Sequence, residues 1–189
     1  SATKLREMNR NNENINDFIP YKLEDINCDI PYDISNLDSA IISKLRLMTA
    51  ENLQNISEVT EGIENRILSS ANMSYSFETL VENVKNKRYT TSKIRRMIIS
   101  ALIGFTKDIY SPMPQYIRIL GMNKVGMTIL KQAKDTCKVP IITKTADFKE
   151  QSPQFNLDVR ATNIAMLCNP IPTHRIGNAD LKKSPIIMK

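Results

Sequence analysis

Thr90-Thr91-Ser92-Lys93-Ile94-Arg95-Arg96-Met97-Ile98-Ile99-Ser100-Ala101-Leu102-Ile103-Gly104-Phe105 is the stretch whose reading decides the fold. Ile94, Met97, Ile98, Ala101, Leu102 and Phe105 recur at steps of three and four. That spacing puts them on one wide face of a helix that must be buried. Thr90 or Thr91 supplies the hydroxyl that caps its start.

Upstream the same periodicity repeats. Leu37, Ile41, Leu45 and Met48 share a helical face. Thr49 caps a short helix with Leu53 and Ile56 on its apolar side. Another helix begins around Thr60, with Ile63, Ile67 and Ala71 on one face. Ser76 then caps a helix over Phe77–Lys87 that turns Phe77, Leu80, Val81 and Val84 inward. Downstream, Pro112 and Pro114 interrupt the helical pattern. Gln115–Leu120 reads as a short strand closed by Gly121, Val125–Lys134 as an amphipathic helix, and Val139–Thr143 as a second strand. Leu157–Leu167 is the final helix. The expected fold class is mainly α, a helical domain with one or two short strands late in the chain. Residues 36–168 form that domain. Residues 21–35, acidic and turn-prone, connect it to 1–20, and 169–189, with Pro170, Pro172 and Pro185, reads as an irregular tail.

Charge is unevenly distributed. The chain carries +6 overall, but residues 1–84 hold seven Lys/Arg against fourteen Asp/Glu, whereas 85–189 hold nineteen against six. A basic half of that size points to a polyanion, usually nucleic acid. The densest cluster is Lys85-Asn86-Lys87-Arg88-Tyr89-Thr90-Thr91-Ser92-Lys93-Ile94-Arg95-Arg96, where six of twelve residues are basic and none is acidic. Lys87 and Arg88 suit a helix C-terminus. Lys93, Arg95 and Arg96 crowd the positive end of the next helix, a local conflict of the kind found where a ligand is bound. Free N–H groups, hydroxyls and guanidinium groups there suit phosphate, and Tyr89 suits stacking on a base. The competing reading is a solvated turn whose arginine stems cover the core, with Tyr89 as packing.

Two weaker features accompany it. Ser1-Ala2-Thr3-Lys4-Leu5-Arg6 offers hydroxyls and a guanidinium at a helix entrance, where Thr3 also reads as an ordinary N-cap. Asp158 and Arg160 read as a cap and local ion pair at the start of the last helix.

Several function classes find no support. The five glycines are scattered and make no phosphate loop, and His174 is the only histidine, so neither an HxGH element nor a Ser/His/Asp set exists here. Cys28, Cys137 and Cys168 are too far apart for a zinc site and read as small packed thiols. The longest apolar run, Met97–Phe105, is too short to span a bilayer and is broken by Ser100. No apolar segment of signal-peptide type follows the first residues, so the expected compartment is the cytoplasm.

SATKLR resembles the end of the ISATxIR element of HIGH-type nucleotidyltransferases. TEGIENRI, VKNKRYTTSKIRRM, YIRILGMNKVGMTIL and LDVRATNIAML resemble, in order, segments of the bacterial tRNA(Met) cytidine acetate ligases. The resemblance implies an enzyme that activates acetate with ATP, and magnesium, as acetyl-adenylate and acetylates N4 of the wobble cytidine of elongator tRNA(Met). It implies that this chain is the C-terminal portion, inactive without a catalytic domain that carries the HIGH motif. Ser1, Thr3 and Arg6 would then contact the ATP triphosphate. Lys85, Lys87, Arg88, Tyr89, Lys93, Arg95 and Arg96 would bind tRNA. Asp158 and Arg160 match a D-x-R-A-T element without an assigned role, and Asn163 stands where an acidic residue is expected. The alternative is a non-catalytic helical module that binds RNA or a protein partner.

Overall fold

The computed structural model describes residues 4, 5, 7, 8, 11, 13–18, 33–60, 62–148, 152–182 and 184–188. Lys4, Leu5, Glu7 and Met8 are helical. Thr3, the expected cap, and most of the expected connecting segment lie outside the described residues.

Five helices build the main body: α1 (Asp38–Arg46), α2 (Ala50–Gln54), α3 (Ile63–Met73), α4 (Phe77–Val84) and α5 (Thr91–Ile103). The helices α2, α4 and α5 start where a short polar side chain holds free N–H groups. Thr49 and Ser76 form capping boxes with Asn52 and Thr79, and Thr90 accepts from the Lys93 amide. The apolar faces read from the sequence meet in one core. Ile41, Leu53, Ile67, Ala71, Leu80, Val81, Val84, Ile94, Met97 and Ala101 are fully shielded from solvent. The helix α1 packs on α3 and α5, and α4 on both α3 and α5. The Asp38 carboxylate accepts from the Phe77 amide at 2.8 Å and so fixes the start of α4 to α1.

Two boundaries differ from expectation. The helix α5 ends at Ile103 because Gly104 adopts a left-handed conformation (φ 71°). Phe105 therefore leaves the helix, is only half-buried, and donates its N–H to Ser100. The helix α4 stops at Val84 rather than Lys87. There the Arg66 guanidinium donates to the carbonyls of Asn83, Val84 and Lys85 at 2.8–3.1 Å. Arg46 does the same at the end of α3, donating to Ala71, Asn72 and Ser74.

One buried carboxylate ties the body together. Glu64, 3 % exposed, accepts from Gln54 at 3.0 Å and from the Gly62 amide at 2.8 Å. The Gln54 hydrogen bond chiefly holds its pKa below the usual 4.5. A lowered folded-state pKa contributes stability above the unfolded value, and that contribution is lost as pH falls through the folded one. Glu64→Gln is therefore expected to lower the melting temperature at pH 7 and to differ less from the parent chain below pH 4. A gap that stays constant across melts from pH 7 to pH 3 would show that Glu64 is not the titrating group.

The later part of the chain is mixed. It contains β1 (Ile117–Arg118), β2 (Gly121–Met122), α6 (Lys124–Thr136), β3 (Ile141–Ile142), α7 (Pro153–Met166), α8 (Ala179–Lys182) and β4 (Ile186–Ile187). The mainly α class stands, with four short strands among the described residues where one or two were expected. The strands β1 and β3 pair in parallel, Ile117 with Ile141 and Arg118 with Ile142. The strands β2 and β4 also pair in parallel, Gly121 with Ile186 and Met122 with Ile187. The stretch 169–189, expected as irregular, thus contributes a helix and a strand. Two-residue strands have no periodicity to read, which is why β2 and β4 were not anticipated.

Tyr116, Phe148 and Phe155 make a second, small aromatic cluster, with ring centroids 4.9–6.1 Å apart. The two parts meet at α7. Its Arg160 donates to the Ile103 carbonyl, and a Cβ on Gly104 would lie 2.7 Å from that guanidinium. The Cys168 carbonyl receives the Asp33 amide and the Asn36 side chain. Cys168 itself is buried, which pushes its thiol pKa up and leaves it unreactive.

Candidate nucleic-acid interface

The basic segment forms a tight turn between α4 and α5. Asn86 and Tyr89 pair across it as an isolated bridge, and the Asn86 side-chain oxygen accepts from the amides of Arg88 at 2.8 Å and Tyr89 at 3.1 Å. This asparagine turn, closed on one side by Arg66 and on the other by the Thr90 cap, holds Lys87 and Arg88 at its exposed tip.

The structure divides the six expected cations into two groups. Lys87, Arg88 and Lys93 have no carboxylate partner among the described residues. The other three cations do. Arg95 pairs with Glu78, Arg96 donates to both oxygens of Glu58 at 2.9 Å, and Lys85 lies 3.4 Å from Glu82. The conflict between Arg95, Arg96 and the positive end of α5 is thus answered within the fold, by carboxylates of the acidic half. Glu58 is held at φ 66°, a left-handed conformation that costs a non-glycine residue about 1–2 kcal/mol. All three ion pairs are exposed, and such pairs contribute about 0–1 kcal/mol, so a phosphate can displace the carboxylates at little cost.

Tyr89 does not present its ring to solvent. It is 8 % exposed, its hydroxyl lies 2.6 Å from Thr60 Oγ1, and it belongs to the core. Arg88 and Lys93 each lie 5.3 Å from its ring centroid, within cation–π range. Tyr89 is a pedestal for two cations rather than a stacking platform for a base.

Asp158 and Arg160 are corrected as well. The helix α7 starts four residues earlier than expected, at Pro153, with Ser152 as its cap. Asp158 lies inside the helix and accepts a hydrogen bond from the Tyr116 hydroxyl. Burial and then this bond raise the Tyr116 pKa well above its ordinary value. Arg160 turns to the end of α5 instead of pairing with Asp158. Asn163, at the position of interest in the same element, accepts from the Asn178 amide at 2.6 Å. Ser1, Thr3 and Arg6 lie outside the described residues. Among those described, no three His, Cys, Asp or Glu side chains gather to hold a metal ion. No described helix is long and apolar enough to cross a membrane.

Sequence reading missed the partners: Glu58 and Glu78 for Arg96 and Arg95, and Asp180 for Arg118. These pairs are 38, 17 and 62 residues apart, and no short-range spacing marks them.

The profile of the HIGH Nucleotidyl Transferase family matches residues 1–180, and the chain belongs to that family. Within it, the chain is 33% identical over its whole length to the tRNA(Met) cytidine acetate ligase of Thermosipho africanus, covering 51% of that protein. It is 32% identical to the Clostridium botulinum (Loch Maree) ligase, covering 48% of it. The crystal structure of Thermotoga maritima TmcAL bound with alpha-thio ATP superposes on the whole chain with a TM-score of 0.83 at 28% identity, over 51% of that structure. The chain therefore spans about half the length of the curated relatives it matches.

Proposed function

We propose that this chain is the tRNA-holding, C-terminal part of an enzyme that makes acetyl-adenylate from acetate and ATP and transfers the acetyl group to N4 of the wobble cytidine of elongator tRNA(Met). The observation that carries the reading is the rigid turn tip. Lys87, Arg88 and Lys93 stand there without carboxylates, beside the positive end of a 13-residue helix, in a chain whose relatives are named for acting on tRNA(Met). Residues 36–168 are proposed as the RNA-binding domain. Ser1, Thr3 and Arg6 are proposed to contact the ATP phosphates.

The division of labour has a chemical basis. Acetylating one base requires that the base be held still against the acetyl donor, because correct orientation supplies much of the rate. The groups described here can hold a polyanion. Affinity would come mainly from phosphate contacts and so should fall steeply with salt.

Lys87→Ala with Arg88→Ala is expected to weaken binding of elongator tRNA(Met) about tenfold and to lower the log–log salt slope by about 2, with the melting temperature unchanged. Titrations at two salt concentrations against elongator tRNA(Met) and an unrelated tRNA test this. A drop of several degrees in melting temperature without a change in slope would make the pair structural. No tRNA binding by the parent chain would sink the reading.

A further inference from the structure

A second cationic surface lies away from the turn. Residues 117–148 contain six Lys/Arg against two Asp/Glu. Of the six, Arg118 is paired with Asp180. Lys124, Lys131, Lys134, Lys138 and Lys144 are exposed and have no carboxylate partner among the described residues. Lys131 and Lys134 are three apart on α6 and so neighbours on its surface. They line, together with Lys144, a cleft of about 420 Å³ between α6 and the β3 and β4 segments. Its apolar lining is Met122, Met127, Leu130 and Ile187.

The cleft has the volume of a small-ligand site, and its two kinds of lining restrict what fits. An apolar protein segment would strip water from three unpaired ammonium groups, which is costly. A small carboxylate would leave the thioether floor uncovered. An unstacked nucleotide satisfies both, with its base on the methionine and leucine side chains and the adjoining phosphates on the lysines. The helix α6 has no buried residue, so these lysines do not serve as stems covering the core.

We propose that the α6–β4 cleft binds an unstacked nucleotide of single-stranded RNA, with Lys131, Lys134 and Lys144 on the flanking phosphates. The proposal rests on the tRNA-holding reading and adds a contact surface separate from the Lys87–Arg88 turn.

The test compares four forms of the 189-residue chain: the parent, the Lys131→Gln/Lys134→Gln/Lys144→Gln variant, its triple arginine counterpart, and Lys87→Ala/Arg88→Ala. Each is titrated with elongator tRNA(Met), a labelled 12-nucleotide single-stranded RNA, and ATP. The triple variant is expected to lose at least about tenfold in affinity for both RNAs, with an unchanged melting curve. The corresponding triple arginine variant, which keeps the charges, should retain binding. Parent-like RNA binding by the triple glutamine variant, with tRNA binding lost in Lys87→Ala/Arg88→Ala, would overturn the cleft and leave the tRNA reading standing. Loss of ATP binding with RNA binding intact would assign the cleft to a free nucleotide and overturn the RNA proposal. Absence of any RNA binding by the parent chain would overturn both.

Discussion

Ile98→Asp is expected to abolish the cooperative melting transition of this chain. Ile98 is 1 % exposed and sits in α5 between Ile94, Met97 and Ala101, none of which meets solvent. Shortening the side chain removes hydrophobic burial and leaves a cavity, a loss of about 2–5 kcal/mol for a large-to-small change in a core. The new carboxylate has no donor nearby, because this face of α5 packs on the apolar sides of α1 and α4. Keeping it buried costs several more kcal/mol, whether it stays charged or takes up a proton. The sum reaches the whole stability of an ordinary domain, about 5–15 kcal/mol. Circular dichroism melts would show a low, sloping signal with no transition. The control is Ser92→Asp, six positions upstream on the exposed first turn of α5. An acid there suits the helix dipole and should leave the melt unchanged or slightly raised. A normal transition in Ile98→Asp would mean that α5 is not the centre of the core.

That prediction could be made before the structure, and the reason is physical. A helix buried along one face writes its contacts into the spacing of its own residues. The inward residues of α1, α3, α4 and α5 were therefore readable from Leu37 to Ala101. Caps such as Thr49, Ser76 and Thr90 act within three residues and were readable too. What was not readable depends on groups distant in sequence. Arg66 reads as a solvated helix charge until the end of α4 is seen beneath it. The charges of Arg95 and Arg96 look like a binding patch until Glu58 and Glu78 are brought alongside. Tyr89 illustrates the limit most clearly, because an aromatic in a basic run fits both stacking and packing. Only the closure of α3 against the turn, with Thr60 at its hydroxyl, decides for packing. The lysines of α6 were visible as charges, but the cleft they line requires β4, which is two residues long.

Arg118→Ala is expected to release the C-terminal end of the chain without unfolding the helical body. The Arg118 guanidinium forms a two-pronged contact with Asp180, one bond being 2.7 Å, and the Asp180 side chain is only 6 % exposed. Removing the arginine leaves a carboxylate buried without its partner, which costs about 3–5 kcal/mol. Beyond the packing of α8 on α7 and the Asn178–Asn163 bond, few hydrogen bonds hold α8 and β4 in place. The β4 strand pairs with β2 over only two residues, flanked by the bonds Ile186 N–H to Leu120 and Met188 N–H to Met122 at 2.9–3.0 Å, and the Asp180 carbonyl accepts one from Thr145. The helical core takes in only Cys168 and a partly buried Ile164 from the chain after Ala101, apart from the end of α5. The penalty therefore falls on local opening. Hydrogen exchange should accelerate at residues 117–122 and 179–188 while α1–α5 stay protected. Because Ile187 forms part of the cleft floor, binding of the 12-nucleotide RNA should weaken as well. Arg118→Met with Asp180→Leu removes both charges, and such replacements are often neutral or stabilising. Recovery of exchange protection and RNA binding in the double variant would show that the pair acts by positioning β4. Unchanged exchange in Arg118→Ala would show that the strand pairing alone holds this end, and the ion pair would lose its structural role.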